Sequence, residues 1–150
     1  MQKSILAPLA LIIATLVADV IAAGKPTGGP GTATLTVFSG SDFSCANINT
    51  KIPTDGTAGT SSSVSIVEDG CALIPIAPAD VFTATMTLAP KSGTLGCWIQ
   101  LFTQDGCGFT LENSFWGQPI PGIDAGTVLG CAQVPAGLGL TFGGASMFCA

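Results

Sequence analysis

Apolar and polar positions alternate every second residue along most of this chain, and no window settles into the period of about 3.6 that marks a helix. The cleanest run is residues 81–88. There Phe82, Ala84, Met86 and Leu88 share one face of a strand, and Thr83, Thr85 and Thr87 share the other. Residues 32–38 read the same way, with Ala33, Leu35 and Val37 set between threonines. Shorter strands are expected at 45–48, 64–67, 72–76, 97–103, 109–115, 127–134 and 138–148. Glu68-Asp69-Gly70 suits a tight hairpin, and Gly143-Gly144 a bulge or bend. Residues 53–63, 90–96 and 117–126 are turn or loop by composition. Glycine and proline leave little room for a helix, so the fold class is all-β.

The pattern runs twice. Val37–Cys45, VFSGSDFSC, is echoed by Leu101–Cys107, LFTQDGC, and each is followed at a similar interval by a Gly-Cys pair, Gly70-Cys71 and Gly130-Cys131. The six cysteines then form two ordered triplets, Cys45/Cys71/Cys97 and Cys107/Cys131/Cys149. Two comparable halves, about 32–96 and 97–150, predict a single β domain over 32–150, a disulfide-stabilised sandwich of two Greek-key-like sheets. The repeat suggests bridges Cys45–Cys71, Cys107–Cys131 and Cys97–Cys149, and leaves other pairings open. A metal cluster would want Cys-x-x-Cys spacing, which the chain lacks.

Residues 1–23 read as a signal peptide: Lys3, an apolar run over 5–17, and small residues up to Ala23. Pro8 and Asp19 cut the run short of the roughly 20 residues a membrane span needs. Residues 24–31, GKPTGGPG, form a flexible lead-in. An exported chain with six cysteines implies an oxidising, extracellular destination. The chain has net charge −5, with no histidine and no arginine. That balance argues against nucleic acid, which needs a basic surface, and against anionic lipid. It also removes the commonest general base and metal ligand. No cofactor is implied.

The doubled strand–turn–cysteine pattern, the later Gly-Cys and the terminal Cys-Ala resemble small secreted cysteine-rich proteins of filamentous fungi. Within that set the duplicated arrangement looks like the βγ-crystallin and killer-toxin-like sandwich. Ser62-Ser63-Val64-Ser65-Ile66 is similar to the serine-bearing strand of crystallin motifs. Calcium-binding crystallins carry Asn or Asp four residues before a Ser/Thr-Ser pair. Ala58 and Gly59 stand there instead, so no calcium site is expected. The resemblance implies effector-like, toxin-like or wall-associated roles.

Candidate chemistry is thin. Glu68, Asp69, Asp105 and Glu112 would have to converge to hydrolyse a glycosidic bond. Asp55-Gly56-Thr57 has the wrong order for an aspartic-protease loop, and a serine triad lacks its histidine. Trp98, next to Cys97, reads as packing over a disulfide. Phe115 and Trp116 are neighbours in an expected strand and must face opposite ways, which makes Trp116, with Phe115, the candidate surface contact. The leading reading is a non-enzymatic protein acting extracellularly by surface contact. Its partner would be an extracellular protein or a cell-wall polysaccharide, met in part through loops 54–63 and 117–126. With no Asn-x-Ser/Thr sequon, loop 54–63 is also a plausible place for O-linked sugar. A structural or surface-active wall protein is the second reading, and a small carboxylate hydrolase the third.

Overall fold

The computed structural model describes residues 27–40, 43–75, 81–134 and 141–150. The expected leader lies outside them. Eight strands follow in chain order: β1 Thr32–Ser39, β2 Thr60–Val67, β3 Cys71–Leu73, β4 Val81–Leu88, β5 Cys97–Phe102, β6 Phe115–Pro119, β7 Val128–Gln133 and β8 Gly144–Cys149. They form two antiparallel four-stranded sheets, ordered β2-β1-β4-β7 and β3-β8-β5-β6. The all-β sandwich is as expected.

Alternation builds the core. Ala33, Leu35 and Val37 of β1 and Phe82, Ala84 and Met86 of β4 turn inward from the first sheet. They meet Ile99 and Leu101 of β5 and Ala145 and Met147 of β8 from the second. Each large side chain fully buried there contributes about 1.5–3 kcal/mol. The threonines between them face outward, where β-branching still favours the pleat.

The halves do not each make a sheet. Each gives three strands to one sheet and one strand to the other: β3 leaves the first half and β7 the second. Mapping β1–β4 onto β5–β8 converts the order β2-β1-β4-β7 into β6-β5-β8-β3, so the two sheets are related by a pseudo-twofold. The turn at Glu68–Gly70 is accordingly a crossing between sheets, not the expected hairpin. Asp69 takes φ 59° there, a left-handed conformation that aspartate tolerates.

Two of the three bridges follow the pseudo-twofold. Cys45 pairs with Cys131, Cys71 with Cys107, and Cys97 with Cys149. The pairs Cys45–Cys71 and Cys107–Cys131 expected from the repeat are thus replaced by pairs between halves. Each ties the loop after a half's first strand to the Gly-Cys strand lent by the other half.

Other expected bounds also differ, and within the described part of residues 138–148 the strand starts only at Gly144. Residues 45–48 form a turn, residues 109–114 stay in a loop with β6 starting only at Phe115, and Thr60–Ser63 join β2 although their composition reads as loop. β6 also takes Gly117–Pro119 from the stretch read as turn.

Candidate functional site

The two outward faces of the sandwich differ in chemistry. On the first sheet, Thr34, Thr36, Ser63, Ser65, Thr83 and Thr85 stand side by side through the register of β2, β1 and β4. Thr36 Oγ1 pairs with Ser63 Oγ at 2.7 Å, and Thr83 Oγ1 donates to Leu129 O at 2.6 Å. On the second sheet the equivalent rows hold rings. Trp98 of β5 is 38% exposed and lies 6.2 Å from Phe148 of β8, itself 46% exposed. Further along β5, Phe102 also faces outward, but it is buried beneath Phe109 and Phe115, with ring centroids at 5.4 and 5.9 Å. Phe109 and Phe115 meet edge to face at 5.2 Å. Between the two ring clusters, Ser146 Oγ donates to Gln100 Oε1 at 3.1 Å. No charged residue stands in the outward rows of β5, β6 and β8.

Trp116 is not on this face. Its register partner is Leu101, an inward residue, so it turns toward the core and meets Phe82 edge to face at 5.5 Å. Phe115, its neighbour, is the outward member of the pair. Trp98 is the tryptophan open to solvent. Sequence reasoning gave Trp98 to a disulfide and did not single out Phe148 or Phe109. The signal for them was present in β5, where Trp98, Gln100 and Phe102 alternate with Ile99 and Leu101, so that both faces of one strand carry large apolar groups.

Two grooves lie under the loops that follow β1 and β5. The first, of about 800 Å³, runs between residues 48–59 and the outward face of the first sheet. Phe38, Ile52, Pro53 and Val128 give it apolar walls, Ser61 and Thr83 add hydroxyls, and Lys51 supplies a cation. The second, of about 590 Å³, is its pseudo-symmetric counterpart, lined by Gln100, Ser146, Phe148 and Phe109 beside the Cys71–Cys107 bridge. Neither was legible beforehand, because each is made where a loop folds back over a sheet.

The carboxylates are dispersed. Glu68 Oε2 accepts from the Gly31 N–H at 2.8 Å and closes the corner between sheets. Asp55 Oδ1 accepts from the Thr57 hydroxyl at 2.6 Å and the Thr57 N–H at 3.0 Å, which hold its carboxyl below the usual range. Asp105 and Glu112 are exposed on the loop before β6. Asp69 lines the second groove, and the first has no carboxylate. Among the described residues no three His, Cys, Asp or Glu side chains gather as metal ligands, and no helix is long and apolar enough to cross a membrane. The chain matches no protein-family model, no curated protein and no solved structure.

Proposed function

We propose that this is a secreted, non-enzymatic protein that acts outside the cell by surface contact, effector-like or toxin-like, and that the outward face of β5, β6 and β8 is the contact surface. The observation that carries the reading is a face with no charge in its strand rows, bordered by Asp69, on which Trp98 and Phe148 stand beside the Gln100–Ser146 pair and the Phe109–Phe115 edge. Flat rings flanking a neutral amide and hydroxyl suit a neutral polysaccharide of a cell wall: the rings cover the apolar faces of sugars and the polar pair satisfies their hydroxyls. The duplicated sandwich supports the resemblance to crystallin-like secreted proteins, and three bridges support life in an oxidising compartment.

Depletion by insoluble chitin and β-glucan tests this. The purified protein is expected to leave solution with at least one of them, and Trp98→Ala with Phe148→Ala to stay behind. If the wild type binds neither polymer, or the double variant binds as well, the polysaccharide reading is wrong. A second reading is favoured by the contrast between a hydroxyl face and a ring face on one small body. Such a body would orient at an air–water interface as a surface-active wall protein. A surface tension left at the buffer value removes that reading.

A further inference from the structure

We infer that the free edge of β2 is a self-association surface, and that two copies of this chain pair there antiparallel to join their first sheets into one of eight strands. A sheet edge presents unpaired N–H and C=O groups, and soluble proteins guard such edges with short strands, proline, charge, bulges or covering loops. Three of the four edges here carry a guard. β6 ends in Pro119. β3 has three residues and is tied through Cys71 to the loop at Cys107. β7 is covered by the segment at Cys45–Ile48, held by the Cys45–Cys131 bridge and by the Cys131 N–H donating to Ile48 O at 3.2 Å.

Among the described residues β2 has none of these. It is eight residues long, TSSSVSIV, with no proline and no charge, and it pairs with β1 without a register shift. No described strand lies beyond it. Val67, its last residue, is exposed and apolar.

The occupant that fits best is a second copy. The molecule is acidic overall, yet residues 56–67 carry no charge, so two copies meet there without opposing carboxylates. The register is constrained as well. Ser61, Ser63, Ser65 and Val67 face outward while Ile66 faces inward, so residues opposite one another must share parity. The twofold axis therefore passes Ser63 or Val64. An antiparallel seam of identical strands has its axis normal to the sheet, which places both second sheets on one side. Two ring faces would then point the same way, and a repeating ligand would be gripped with avidity. The seam itself does not depend on what those faces bind.

Light-scattering mass across micromolar to millimolar concentrations is the test. The wild type is expected to rise from one chain to two. Ser63→Lys with Ser65→Lys puts lysines opposite lysines in either register and should weaken pairing by about tenfold or more. Ser63→Glu with Ser65→Glu should do the same, and an equimolar mixture of the two variants should regain the two-chain mass. Both serines are exposed, so near-ultraviolet circular dichroism should be unchanged. In the wild type, amide exchange across β2 should slow as concentration rises. One-chain mass at every concentration, a lysine variant that pairs like wild type, or β2 exchange indifferent to concentration would each overturn the inference.

Discussion

The loop after β1 and the loop after β5 begin at equivalent strand ends and are bridged to equivalent Gly-Cys pairs, yet they finish differently. The second is pinned from within. Buried Asn113 accepts from the Gln104 N–H at 2.9 Å and donates to Gly108 O at 2.9 Å and Gly106 O at 3.3 Å, and its own N–H reaches Thr110 Oγ1 at 3.1 Å. The first is held by shorter-range bonds from exposed groups: Asn47 Oδ1 accepts from the Asn49 N–H at 2.9 Å, Thr50 Oγ1 from the Asn47 N–H at 3.0 Å and Asp55 Oδ1 from the Thr57 N–H at 3.0 Å, and the loop arches over the larger groove. The bridge decides where each loop is anchored. A satisfied buried amide decides whether it closes.

The comparison breaks most severely at the bridges. Replacing Cys45 and Cys131 by alanine, or Cys71 and Cys107, removes closures of 86 and 36 residues. Each is expected to cost about 4 kcal/mol in the chain-entropy account, read by denaturant unfolding. Similar losses would support their equivalence. Asn113→Ala comes next, at about 2–3 kcal/mol, since it strands Gln104 N–H and the Gly108 carbonyl. Asn47→Ala should cost less than about 1 kcal/mol in the same assay.

The third bridge marks a further asymmetry. Aligning Val37-Phe38 with Leu101-Phe102 places the Ala33–Met86 pair where the second sheet has Cys97–Cys149. Ala33→Cys with Met86→Cys is expected to form a fourth bridge, leaving no free thiol by mass spectrometry. The gain of about 4 kcal/mol from closure is offset by about 2 from lost Met86 packing, for a net near +2 kcal/mol. The smallest effect belongs to Asp55. Its carboxyl is held low by Thr57, so what it adds to stability is present above its unfolded pKa and fades as pH falls through the folded one. Thr57→Ala should raise the Asp55 pKa toward its ordinary value in an NMR titration, with little change in the unfolding midpoint.

Much of the fold was legible because it is local. The threonine alternation of β1 and β4 fixes strand, face and outward hydroxyl row together, and the repeat marks which cysteines correspond. What the repeat leaves open is partnership. Cys45 and Cys71 are close in sequence, but β3 joins the other sheet, and that exchange depends on packing between residues far apart. Residues 109–115 alternate like a strand, but Asn113 finds better hydrogen bonds in a loop. Thr60–Ser63 look like loop, but they have β1 to pair with. The ring face was half visible. Phe115 was singled out from sequence, but Trp98 was given to a disulfide, and the inward turn of Trp116 follows from its pairing with Leu101, which only the register reveals.

An amide chemical-shift map, recorded while soluble β-glucan or chitin oligomers are added, tests the central claim most directly. Shifts are expected to gather at Trp98, Gln100, Ser146 and Phe148, with Thr34, Thr36 and Thr85 on the opposite face unmoved. Shifts confined to the hydroxyl face, or none on either, would contradict it.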